Sequence, residues 1–148
     1  MMARIDIDGA LALVTGAGSG IGQQTAIALA RSGARVLCTG RNAQAAETTA
    51  TMCREAGRGE SASYQLDVAD RAGMAALAAQ IAAEHGDVDI LVNNAGVGMI
   101  SRFTDVTAGD WEWIRSVNLD GVVNGCAVFA PGMLARGRGH IVNLSSGL

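Results

Sequence analysis

The chain has 148 residues and a mass of 15.1 kDa, a length that argues for one domain. Surface scaling gives roughly 7,100 Å² folded against about 21,900 Å² unfolded, enough to bury a sizeable core. A net charge of -3, a pI near 5.2 and eleven scattered arginines argue against a nucleic-acid partner, which requires a concentrated basic face.

Apolar residues make up 49% of the chain and aromatics only 3%, so the core is expected to be aliphatic. The 20 glycines follow no collagen period, and a single proline rules out a proline-rich linker. Every basic residue is Arg, and Tyr64 is the only tyrosine. Without lysine, these residues cannot form a lysine P-loop, a Schiff base or a Tyr/Lys proton relay. Cys38, Cys53 and Cys126 are widely spaced and form no C-x-x-C, while His85 and His140 lie far apart. No metal site and no disulfide framework is expected, and the three cysteines read as small buried thiols. Met1 to Asp8 carries Arg4, Asp6 and Asp8 and no apolar leader. No run approaches the ~18 apolar residues of a membrane span. A soluble, cytoplasmic protein with no membrane partner is the expectation.

In chain order, Ala10–Val14 reads as a buried strand running into a glycine-dense turn. Gln23–Ser32 follows as a helix with Gly33 at its exit. Arg35–Thr39 is a second strand, Ala43–Ala56 a second helix closed by Gly57, and Ser63–Leu66 a third strand. Met74, Leu77, Ala78 and Ile81 fall at i, i+3, i+4 and i+7 and predict one buried helix face. Asp89–Val92 is a fourth strand, and Thr107 with Asp110 predicts a capping box. Leu119, Val122, Val123, Cys126, Ala130, Met133 and Leu134 keep helical spacing for about four turns and predict a long helix kinked at Pro131. His140–Leu144 is the last strand. Alternating strands and helices with right-handed crossovers predict an α/β fold, a doubly wound three-layer sandwich around a parallel sheet.

The turn Thr15-Gly16-Ala17-Gly18-Ser19-Gly20-Ile21-Gly22 lies between a strand and a helix, the context of a dinucleotide fingerprint. Gly16 permits the tight turn, Gly20 lets backbone approach a pyrophosphate, and Gly22 allows helix and sheet to close together. Gly16, Ser19, Gly20, Ile21 and Gly22 are therefore candidate cofactor contacts at a helix N-terminus. NAD-binding chains usually carry a carboxylate about 20 residues farther on, which accepts from the ribose 2′-hydroxyl. Here no acid occurs between Gly22 and Glu47, and the second strand ends Thr39-Gly40-Arg41-Asn42. The Arg41 guanidinium suits a 2′-phosphate, so NADP rather than NAD is the expected cofactor.

Several motifs in one order resemble the short-chain dehydrogenases/reductases. Thr15 to Gly22 matches T-G-x-x-x-G-x-G, and Leu66-Asp67-Val68 is similar to the segment after the third strand. Asn93-Asn94-Ala95-Gly96 matches N-N-A-G, Val117-Asn118 matches the tetrad asparagine, and Ile141 to Ser146 matches the strand ending in the catalytic serine. The resemblance implies a Rossmann-type fold and hydride transfer between NADP(H) and a carbonyl or secondary alcohol. By the same resemblance, Asp67 and Val68 hold adenine, and Asn94, Ala95 and Gly96 line the cofactor. Asn93 braces the sheet, Asn118 anchors the water linking the family's lysine to solvent, and Ser146 polarises the substrate carbonyl.

The family's acid is a tyrosine four residues before a lysine, and neither follows Ser146 here. Tyr64 sits on the third strand, expected on the adenine side. Residues 1–148 therefore read as one NAD(P)-binding domain truncated after its fifth strand and inactive alone. Two other readings stand beside this one: a non-catalytic dinucleotide-binding module, and a fragment that oligomerises through its open last strand. Val97 to Phe103 is expected to offer a substrate an apolar wall, and the complete enzyme is expected to be a homo-oligomer.

Overall fold

The structure, a computed structural model, describes residues 6–146. Met1–Ile5 of the N-terminal stretch read above, and residues 147–148, lie outside the described residues. Five parallel strands form one sheet in the order β3-β2-β1-β4-β5. They are β1 (Leu11–Val14), β2 (Arg35–Gly40), β3 (Ser61–Gln65), β4 (Ile90–Asn93) and β5 (His140–Asn143). The intervening helices are α1 (Gly20–Arg31), α2 (Ala43–Ala56), α3 (Arg71–Glu84), α4 (Ala108–Arg115) and α5 (Gly121–Arg136).

Strand alternation divides the core into two layers. Ala12, Val14, Val36, Cys38, Ile90 and Val92 face α1 and α2, where Ala26, Ala30, Ala50 and Cys53 receive them. Leu11, Leu13, Leu37 and Leu91 face the other way, onto Met74, Leu77 and Ile81 of α3 and Phe129 and Met133 of α5. The predicted α3 face is therefore the buried one. Because β1, β2 and β4 are covered on both faces, they read as apolar runs without polar alternation, whereas β3 and β5 are partly exposed. The chain crosses over β1 between β3 and β4, so a switch point lies at the carboxyl ends of β1 and β4.

Several expectations are corrected. Helix α1 begins at Gly20, three residues before the expected Gln23, because the glycine turn itself winds into the first helical turn. Strand β3 begins at Ser61, before the expected Ser63. Cys38 and Cys53 are buried, but Cys126 is half-buried. The inward face of α5 is Gly121, Asn124, Gly125, Phe129 and Met133, whereas Leu119, Val123 and Leu134 are exposed. Two causes combine. A π-turn at Ser116–Asp120 shifts the helical phase. Small residues then let the helix approach closely, since a Cβ on Gly121 would stand 2.6 Å from Val68 and one on Gly125 2.4 Å from Asn93. Helix α5 runs through Pro131 as one element.

Helical residues Ala108–Arg136 form a stretch long and apolar enough, by length and composition, to cross a membrane. Their packing on α3, β4 and β5 is that of a helix covering a sheet. The Thr107–Asp110 capping box is formed, and its hydrogen bonds hold the Asp110 carboxyl below its ordinary pKa. Folded surface amounts to 8599 Å², above the roughly 7,100 Å² expected for this mass. Apolar groups contribute to the surplus: Trp111, Leu119, Val123 and Leu134 on the outer helices, and Val142 on β5. Among the described residues β5 is an edge strand, as expected.

Tyr64 lies on β3, but its hydroxyl turns to the end of α3, 2.5 Å from Glu84 and 2.6 Å from His85 Nε2. It does not line the cavity described below, so its expected adenine-side position is corrected. Burial and the adjacent Glu84 carboxylate push the phenol up to about 12. A raised acid pKa favours the neutral form, so this stability is present below the unfolded value of about 10 and lost as pH rises through 12. With one tyrosine in the chain, phenolate absorbance reads the group directly. The folded midpoint is expected near 12, and a midpoint near the unfolded value of about 10 would contradict the contact.

Candidate functional site

A cavity of about 670 Å³ opens at the carboxyl ends of β1, β2 and β4. Gly16, Gly18, Ser19, Gly20 and Ile21 form its floor, and Gly40, Arg41, Asn42 and Ala45 its β2–α2 side. Leu66, Asp67 and Val68 form a third wall; Asn94, Ala95, Gly96, Val97 and Val117 close the fourth. Thus Gly16, Ser19, Gly20, Ile21, Arg41, Asp67, Val68, Asn94, Ala95 and Gly96, predicted across four separate motifs, meet around one space. The site lies at the topological switch point, where open α/β sheets bind ligands.

The glycine turn is built for close approach. Gly16 and Gly20 adopt φ of +63° and +56°, left-handed values that disfavour any side chain. No atom stands within 4 Å of a Cβ built on Gly20, so its cavity face is open to a ligand. Gly22 lies behind the cavity, where a Cβ would stand 2.3 Å from both Asn94 Nδ2 and Gly16 O. The helix therefore closes on its own turn and on Asn94, a more local contact than the expected helix–sheet approach.

Thr15, which the sequence reading passed over, ties the two central walls together. Its hydroxyl donates to Val92 O at 3.3 Å and accepts from the Asn94 and Ala95 amides, both at 3.0 Å. Asn94 returns two bonds, Nδ2 donating to Thr15 O at 2.9 Å and Gly16 O at 3.1 Å. Asn124 was missed too; its buried amide donates to Val68 O at 2.9 Å and fixes the third wall to α5. Only the threonine's place beside the first glycine could have signalled its role, and nothing local in sequence signals Asn124. Asn93 braces the sheet, donating to Asn143 Oδ1 at 2.8 Å across β4 and β5.

Asn118 sits in the π-turn and clamps Val97 twice: Oδ1 accepts from Val97 N and Nδ2 donates to Val97 O, each at 2.8 Å. These two bonds fix the orientation of the side chain and leave one N–H donor and one lone pair free. Ser146 is exposed beyond β5 and does not line the cavity. Of Val97 to Phe103, Val97 alone lines the cavity, while Ile100 and Phe103 project into solvent. The apolar side chains expected to face a substrate thus lie outside this cavity.

Arg41 is the one cation lining the cavity among the described residues, and Asp67 on the third wall is the one acid. The first turn of α2 contains no acid, and its N-terminus is capped by Asn42 Oδ1, which accepts from Ala45 N at 3.0 Å. Glu47, the nearest downstream acid, accepts from Ser63 at 2.7 Å and Arg54 at 2.6 Å, which hold its carboxyl below the ordinary range. A dinucleotide fits these residues: the glycine turn leaves an open, amide-bearing face and the cavity extends from it to Arg41. Among the described residues no cluster of His, Cys, Asp or Glu could hold a metal ion.

Comparison with known proteins gives the same family by independent routes. A family model described as short chain dehydrogenase matches residues 10–148. "Probable oxidoreductase EphD" of Mycobacterium tuberculosis is 46% identical over 137 residues, covering 92% of this chain and 23% of that protein. D-threitol dehydrogenase of Mycolicibacterium smegmatis is 41% identical, covering 95% of this chain and 54% of the relative. A metagenomic short-chain oxidoreductase solved with NADP superposes with a TM-score of 0.90 at 37% identity, covering 97% of this chain and 65% of that one. A short-chain dehydrogenase/reductase of Burkholderia phymatum solved with NAD also gives 0.90, at 38% identity, covering 97% and 51%. The chain spans about a quarter to a half of the length of these two curated relatives. With its motifs gathered on one parallel sheet and a family match across nearly its whole length, this chain belongs to the short-chain dehydrogenase/reductase family.

Proposed function

We propose that these residues form the cofactor-binding part of an NADP(H)-dependent oxidoreductase acting on a carbonyl or secondary alcohol. One observation carries the cofactor preference: Arg41 lines the ribose end of the cavity, and Gly40 occupies the usual place of the NAD-selecting acid. Ser19 to Gly22, at the positive end of α1, would hold the pyrophosphate through backbone amides. Asp67 and Val68 would hold adenine, Asn94, Ala95 and Gly96 the remaining wall, and Arg41 the 2′-phosphate beside the N-terminus of α2. When bound, the nicotinamide supplies or accepts the hydride. Ser146 would donate its hydroxyl proton as a hydrogen bond to the substrate oxygen, and Asn118 would anchor a water.

No lysine stands in the chain to depress a phenol pKa or grip the ribose, so these residues by themselves bind cofactor without turnover. Appreciable carbonyl reduction by the 148-residue chain would overturn that statement. Cofactor choice is tested by titrating NADPH and NADH into the protein and into Arg41→Ala. NADPH is expected to bind at least about tenfold more tightly than NADH, and the alanine variant to lose most of that margin. Equal affinities in the unsubstituted protein would remove the NADP(H) preference. Ser146→Ala should leave NADPH affinity unchanged, because the side chain is assigned to substrate.

The exposed Trp111, Leu119 and Val123 face of α4 and α5 favours self-association of the protein. A mass in sedimentation equilibrium that stays monomeric at all concentrations would refute it.

A further inference from the structure

We infer, building on the NADP(H) reading above, that Gln65 is a positioning residue for cofactor selection, acting through the Arg41 backbone. Strands β2 and β3 run side by side to the carboxyl edge of the sheet, where Gly40 pairs with Gln65. Their last backbone bond runs from Leu66 N to Gly40 O at 3.0 Å. One residue farther, β2 has ended and Arg41 lies beyond the strand. Its carbonyl oxygen accepts instead from the Gln65 side-chain amide, Nε2 to O, at 3.0 Å. Among the described residues this is the only side-chain hydrogen bond that reaches Arg41, and no carboxylate pairs with its guanidinium.

The neighbours of Arg41 make that bond matter. Gly40 before it carries no side chain, and no atom lies within 4 Å of where a Cβ would stand. Asn42 after it is held by its cap on α2, Oδ1 accepting from Ala45 N. Arg41 is thus carried on a short bend between a glycine and a helix cap, and Gln65 latches the bend to β3. The latch also joins two parts of the cavity, since Leu66, Asp67 and Val68, which follow Gln65 directly, form the opposing wall. The bond holds the Arg41 backbone against β3, one residue beyond the last strand pair, and so sets where the arginine side chain starts out. A planar cation rewards such fixing, because its hydrogen bonds to phosphate are directional. A cofactor with a free 2′-hydroxyl makes no such demand on Arg41.

The test is a calorimetric titration of NADPH and NADH into the protein, Gln65→Met, Arg41→Ala and the double variant. Methionine keeps the side-chain length and removes the donor. In Gln65→Met the NADPH dissociation constant is expected to rise about three- to tenfold while that for NADH moves less than about twofold. In the Arg41→Ala background the same change is expected to add nothing, because the latch then holds no guanidinium. If methionine impairs folding, Gln65→Leu removes the donor without adding a charge and gives the same readout. Equal weakening of both cofactors, the result of a merely structural role, overturns the inference. So does undiminished NADPH selectivity in Gln65→Met, which leaves the NADP(H) reading intact. Equal affinity for NADH and NADPH in the unsubstituted protein refutes that reading itself, and the inference with it.

Discussion

Alanine at position 22 is expected to destabilise the protein by about 3 kcal/mol and to remove measurable dinucleotide binding. The added methyl would stand 2.3 Å from Asn94 Nδ2 and 2.3 Å from Gly16 O, inside the first turn of a helix buried at that point. Neither neighbour can give way cheaply. Gly16 O belongs to the backbone of a tight turn, and Asn94 Nδ2 is bonded to Thr15 O and Gly16 O. Either α1 lifts from the turn or Asn94 abandons both bonds, and each outcome deforms the floor where the pyrophosphate would sit. Urea unfolding and an NADPH titration on Gly22→Ala read the two effects together. Near-native stability with undiminished binding would show that the turn is not the close-packed device described.

The second large effect is expected at Thr15. Thr15→Val preserves shape, so no cavity forms, but the amides of Asn94 and Ala95 lose their shared acceptor. Leaving a fully buried donor unpaired costs about 1–3 kcal/mol; the Asn94 and Ala95 amides are part-buried, so the two together are expected to cost about 2–4 kcal/mol. Because these amides open the wall formed by Asn94 to Gly96, NADPH affinity should fall about tenfold as well. Equilibrium unfolding with an unchanged m-value isolates the stability term. A loss below about 0.5 kcal/mol would mean that the hydroxyl does not carry those two bonds.

Much of this architecture could be read in the sequence, for identifiable reasons. Strands buried on both faces are plain apolar runs, and Asn42, Asp70 and Thr107 each cap a helix with the side-chain chemistry expected of that position. The cavity was legible because its lining residues lie in short motifs at strand ends, so that sequence order fixed their spatial order. Contacts assembled from distant elements were not legible: Thr15 to Asn94, Asn124 to Val68 and Gln65 to Arg41. The buried face of α5 was not legible, for a physical reason. Leu119, Val123 and Leu134 keep helical spacing yet are exposed, and the sheet instead receives glycines that allow the helix to approach it. The π-turn at Ser116–Asp120 also shifts the phase, and periodicity at 3.6 residues cannot register such an insertion.

The most direct test of the central claim is isothermal titration of NADPH into the folded protein, with NADH as the comparison. The account predicts saturable binding of NADPH at one site per chain, tighter than NADH, and weakened by Arg41→Ala. A folded sample that gives no binding heat with either dinucleotide, and no shift in melting temperature at saturating concentration, would contradict it.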